Sequence, residues 1–153
     1  LPTLDTNMLN RATTQYNNFP FTEYCNTGHC LLAIGPEGVY QIGCGTSDGE
    51  EKIDAWFHLN MTDFGISNPK RLRFMYFGFE SDEDLKVTVY ADEVVKREYF
   101  IPSYRPKQQR TRIPIGRDVK GRYWSFKIAN INGCDFSMDS IMAMVVILNE
   151  GHV

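Results

Sequence analysis

The stretch "GRYWSFKIANINGCDFSMDSI", Gly121 to Ile141, decides the fold class. Trp124, Phe126 and Ile128 fall on one face of an extended chain, and Ser125, Lys127 and Ala129 on the other. Asn132-Gly133 then fits a type I′ turn, in which both central residues take positive φ. Beyond it Phe136 and Met138 alternate with Asp135, Ser137 and Asp139. We read a β-hairpin whose core side carries Trp124, Phe126, Ile128 and Phe136. Its outer side carries Arg122, Lys127, Asp135 and Asp139. The run that follows, Ile141 to Leu148, is nearly all apolar, as expected of a central strand covered on both faces.

The same period of two recurs upstream. "RLRFMYFGFE" (Arg71–Glu80) reads as an aromatic strand, and Leu85, Val87 and Val89 alternate with Lys86, Thr88 and Tyr90. "KREYFI" (Lys96–Ile101) is expected to pair back across Asp92-Glu93. "TRIPI" (Thr111–Ile115) holds Pro114 and should lie at a sheet edge. Nearer the N-terminus, "HCLLAIG" and "GVYQIG" flank a Pro36-Glu37 turn, and "IDAWFHL" (Ile53–Leu59) follows a loop with an Asp48-Gly49 turn. No window shows a helical period. These features predict an all-β protein: an antiparallel, jelly-roll-like β-sandwich of about eight strands. The polar residues 1–20 are expected to form an extended arm, with the sandwich over 21–153. An alternative places a separate β-sheet unit at 21–50 and the sandwich at 51–153.

The 153 residues, 42% hydrophobic and 13% aromatic, suffice for a core and exclude a disordered class. No apolar run approaches the ~18 residues of a membrane helix, and no secretory signal pattern is visible. The chain begins at Leu1, so we expect a portion of a longer or processed polypeptide. From Lys96 to Lys127 there are ten Lys or Arg against two acids, net +8. The remainder holds six against seventeen, net −11. Such asymmetry marks an interaction face, unless basic and acidic strands neutralise each other within a sheet.

Motifs for chemistry are lacking. Cys25, His29 and Cys30 lie close, but four residues separate the cysteines and no second pair follows, so no zinc site is expected. Cys25, Cys30, Cys44 and Cys134 read as buried free thiols. The acidic loops "TSDGEE" and "ESDED" lack the EF-hand spacing. There is no nucleophile elbow and no phosphate-binding glycine loop, and His58 reads as a strand histidine. No cofactor, catalytic residue, nucleic acid or membrane is expected. A carbohydrate platform is the rival reading, with Trp56, Trp124 and Tyr104 as candidate residues, although alternation favours both tryptophans as core.

The segments "YNNFPF" (Tyr16–Phe21), "TDFGISNPKRLRFMYFGFESDEDLKVTVYAD" (Thr62–Asp92), "REYF" (Arg97–Phe100) and "IGRDVKGRYWSFKIANINGCDFSMDSI" (Ile115–Ile141) together resemble a family of tailed-bacteriophage virion proteins. The resemblance runs from about Tyr16 to Leu148, and its most distinctive part is GRYWxFxIxNxxGxDFxxDxI. It implies a non-enzymatic structural component of the tail, located in the virion and made in the host cytoplasm. Other tail proteins, and copies of the chain in a ring or trimer, would be its partners. Host attachment, or a tail-tip module recognising surface polysaccharide, is the further implication. Arg110, Arg112, Arg117 and Arg122 are the candidate assembly residues.

Overall fold

The computed structural model describes residues 3–9, 11, 13–17, 19–45, 47–48 and 50–148. Among them there is no helix and no closed barrel; the chain is all-β and its sheets are antiparallel. It divides into two compact units, Leu1–Gly45 and Thr46–Val153.

The first unit holds β1 (Thr3–Thr6) paired with β2 (Thr13–Tyr16), then a meander of β3 (Glu23–Asn26), β4 (Leu31–Gly35) and β5 (Gly38–Ile42). The expected extended arm is therefore a hairpin: Thr3 pairs with Tyr16 and Thr6 with Thr13. Forty-five residues are too few to bury a full core, and among the described residues of this unit Ala33 is the fully enclosed apolar one. Rings do the packing instead. Phe19 stacks on Tyr16 at 5.2 Å and meets Phe21 edge-on at 4.6 Å, and Phe21 lies 5.2 Å from Tyr40.

The second unit opens with the short pair β6 (Ser47–Asp48) and β7 (Glu51–Lys52). Its main strands are β8 (Trp56–His58), β9 (Lys70–Ser81), β10 (Leu85–Ala91), β11 (Val94–Ile101), β12 (Gln109–Pro114), β13 (Lys120–Gly121), β14 (Trp124–Ala129) and β15 (Phe136–Ile147). One sheet runs β11-β10-β14-β8. In the other, β9 is central, with β12 and β13 among its partners and β15 pairing along its length. Leu72, Met75, Phe77 and Phe79 of β9 share one buried cluster with Leu85, Val87 and Val89 of β10 and with Trp124, Phe126 and Ile128 of β14. Those of β10 and β14 are the alternating positions expected from the sequence.

Two expectations need correction. Asn132 and Gly133 do take positive φ, 58° and 76°, but β14 and β15 do not pair with each other. β14 lies between β10 and β8, and β15 lies against β9, so the turn carries the chain from one sheet to the other. Side chains fix this crossing. Asn130 is buried; its Nδ2 donates to the carbonyls of Ile53 and Cys134, both at 2.9 Å, and its Oδ1 accepts from Ala55 N at 3.0 Å. Asn132 Nδ2 donates to Glu83 Oε2 at 2.9 Å. β10–β11 does close as a hairpin with a two-residue turn, in which Asp92 and Glu93 both take positive φ. Secondly, β15 is not central. Among the described residues it pairs only with β9, and Met142, Met144 and Ile147 are exposed. A bulge at Asp139 shifts its phase, so that Ile141, Ala143 and Val145 pack on the core.

Asp92 does more than turn the chain. Its Oδ1 accepts from the backbone N–H groups of Tyr123 (3.0 Å) and Arg122 (2.9 Å), tying the β10–β11 turn to the start of β14. The Tyr123 N–H does most to hold this carboxyl below its ordinary value, against partial desolvation; the Arg122 N–H and the charges of Lys96 and Arg122 add to it. A lowered folded-state value means stability that is present above the ordinary carboxylate value and lost as pH falls through the lowered one. Asp92 is exposed, so water keeps the effect small. Asp92→Asn should therefore have a lower urea midpoint at neutral pH, and the gap to wild type should close below about pH 4. A gap that persists unchanged into acid would show that the charge is not the cause.

Candidate interaction face

The outward positions of β12, β9 and β15 form rows set by the strand register. Arg112 pairs with Tyr76 and Tyr76 with Met142; Pro114 pairs with Phe74 and Phe74 with Met144. Each arginine leans over the ring of a neighbouring row. The Arg110 guanidinium lies 5.0 Å from the Tyr76 centroid, and that of Arg112 lies 4.7 Å from Phe74. Arg73 covers Phe74 from 5.3 Å, and Arg110 Nη2 lies 3.3 Å from Met142 Sδ. The rings are half-buried, while Arg110, Arg112, Met142 and Met144 are exposed. Gly78 is needed beside them, because a Cβ there would land on Asp139 Oδ1 and Ser140 Oγ at the β15 bulge.

This face brings together Arg110 and Arg112 of the four candidate arginines. Arg117 lines a shallow cleft beside it, with Arg71, Arg73, Phe74, Pro114 and Ile115. Arg122 lies apart, with its charge acting on Asp92 and its carbonyl accepting from Lys70 Nζ at 2.6 Å. Neutralisation within the sheets is slight. The ion pairs among the described residues are Arg97–Asp118 at 2.7 Å and Lys86–Glu98 at 3.6 Å, so the cations of β12 are matched with rings rather than with carboxylates. Sequence reasoning found the arginines through the charge run. It missed Phe74, Tyr76, Met142 and Met144, although the alternation of β9 already placed Phe74 and Tyr76 opposite Met75 and Phe77.

The candidate sugar residues do not form one platform. Trp124 is fully buried and donates from Nε1 to the Gly121 carbonyl at 3.2 Å. Tyr104 is exposed in the loop before β12. Trp56 is also exposed, against the expectation that both tryptophans are core, and Lys127 Nζ sits 4.1 Å over its ring. That outer sheet face also holds His58 against Tyr90, with ring centroids 4.9 Å apart. The cysteines are free, but only Cys134 is buried; Cys25 and Cys44 are exposed and Cys30 is half-buried. No group of three potential metal ligands occurs among the described residues, and no helix there is long and apolar enough to cross a membrane.

Against family models, curated proteins and solved structures, the chain has no match.

Proposed function

We propose that the chain is a non-enzymatic structural component of a bacteriophage tail, and that it acts by docking through the arginine-covered face of β12, β9 and β15. The phage setting rests on the sequence resemblance. The docking role rests on one observation: two exposed arginines on β12 cover two aromatic rings beside two exposed methionines. Arg, Tyr, Phe and Met are the side chains enriched in protein interfaces, where lysine and acids are depleted. An arginine already lying on a ring gives up little freedom when a partner covers it. The partners are other tail proteins and copies of the chain in a ring or trimer, with host attachment as a supported activity of the assembled tail. We further propose that the two main sheets stack as a β-sandwich, because their buried faces share one cluster. The strand order, with β8 beside β14 and β15 beside β9, lends no particular support to a jelly roll.

The test is reversal of charge at Arg110, Arg112 and Arg117 to Glu. All three side chains are exposed, so purified protein should keep its fold, with each change costing about 0.5–1 kcal/mol at most. Incorporation into particles should be lost. Particles that assemble normally with all three reversed would overturn the docking role.

Polysaccharide binding is the second reading, and the exposure of Trp56 favours it. Glycan should then quench Trp56 fluorescence and leave Trp124 unaffected. Lys127 over one ring face competes with sugar stacking there.

A further inference from the structure

Exposed sheet edges carry unpaired N–H and C=O groups, and proteins blunt them with charge, proline or shortness. Three edges of the main sheets are blunted in this way. β8 spans Trp56–His58 only; β11 carries Lys96, Arg97 and Glu98; β12 carries Arg110, Arg112 and Pro114. The fourth, β15, is different. It runs from Phe136 to Ile147, pairs only with β9 among the described residues, and has neither charge nor proline from Ile141 to Ile147. Met142, Met144 and Ile147 on it are about half exposed, at 54%, 42% and 50%.

We propose that β15 is a homodimerisation edge, where two copies of this chain pair antiparallel through Ile141–Ile147 about a two-fold axis at Met144. The inference rests on the free edge and holds whether or not the chain belongs to a tail. The uncharged run is self-complementary about its midpoint. Met144 meets Met144 of the other copy and Met142 meets Val146, all on the outward face. Ala143 meets Val145 on the inward face, and Ile141 meets Ile147, which is half exposed at the strand's end; antiparallel pairing keeps each residue on its own side. The Asp139 bulge falls outside the paired run, and the register shift between Met144 and Val145 skips Arg73 of β9, so the extra residue is on β9 and not on β15. Charge does not oppose a second copy. β12 lies across β9 from β15, so the arginine-bearing strands of the two copies would be five strand spacings apart, about 24 Å. That is about three Debye lengths at physiological salt, and their repulsion is screened. The pairing is isologous and therefore closes at two.

Sedimentation velocity of the full chain at about 50 μM, where a Kd near 1 μM leaves it mostly associated, tests this. Wild type should be dimeric. Met144→Lys and Met144→Glu should each be mostly monomeric, because like charges then face each other across the axis, with affinity at least about a hundredfold weaker. Both should keep the wild-type circular dichroism spectrum, since the side chain is exposed. An equimolar mixture of the two should recover the dimer. The triple arginine reversal should leave the dimer intact, which separates this edge from the docking face. A monomeric wild type would assign the edge to a strand of another protein and overturn the proposal. So would a dimer that survives both Met144 variants, or a mixture that stays monomeric.

Discussion

Trp124→Ala should cost about 3–5 kcal/mol of folding stability, a large share of the 5–15 kcal/mol typical of a domain. The side chain has no exposed surface and packs in the cluster shared by both main sheets. Its removal loses the transfer energy of the indole and leaves a cavity in that cluster that cannot close fully. It also leaves the Gly121 carbonyl without the Nε1 donor. That region has little room to relax: a Cβ at Gly121 would stand only 2.7 Å from the Ala91 Cβ. The backbone of Trp124 exchanges two 2.8 Å hydrogen bonds with Thr62, so the loss also loosens the 62–65 loop. Trp124→Phe should recover part of the stability, since it keeps an aromatic body and lacks only the donor and one ring. Urea midpoints of the three proteins give the ordering. A Trp124→Ala protein as stable as wild type would remove this residue from the core and return it to the sugar platform.

Lys70→Ala is expected to lose about 2–5 kcal/mol, as truncation of a buried unbranched side chain of this length does. Lys70 begins β9 and has no exposed surface. Its backbone lies between Gly121 of β13 and Ile147 of β15, its partners in register. Its Nζ has one acceptor among the described residues, the Arg122 carbonyl at 2.6 Å. Lys70→Met separates the two contributions. Methionine keeps the stem and removes a polar end that is costly to bury. It should therefore be clearly more stable than Lys70→Ala, and within about 1–3 kcal/mol of wild type, the cost of leaving the Arg122 carbonyl unpaired. If the two variants unfold at the same urea concentration, the hydrogen bond rather than the stem fixes the start of β9.

Local signals in this chain were legible where a residue's environment depends only on its own strand. The alternation in "LKVTVYA" and "RYWSFKIA" correctly sorted Leu85, Val87, Val89, Trp124, Phe126 and Ile128 to the inside. Pro114 correctly placed β12 at an edge, since a residue without N–H suits a strand with a free side. The misreadings share a cause. An apolar side chain facing outward looks in sequence like one facing a second layer. Met142 and Met144 made β15 read as central, and the pattern held no sign that Arg110 would lie beside them. Trp56 was misplaced for the same reason: its ring is exposed under Lys127, a contact between residues distant in the chain.

The sequence by itself determined the all-β class, the positions of the longer strands, the inward residues of β10 and β14 and the left-handed backbone at Asn132-Gly133. Only the tertiary structure decided which strand lies beside which. Side-chain alternation has a period of two whatever the neighbour is, and backbone hydrogen bonds carry no residue identity. "GRYWSFKIANINGCDFSMDSI" could therefore close as a hairpin or bridge two sheets. The choice fell to distant groups: the Ile53 carbonyl and Ala55 N–H that hold Asn130, the Glu83 carboxylate that holds Asn132, and the β9 strand that takes β15.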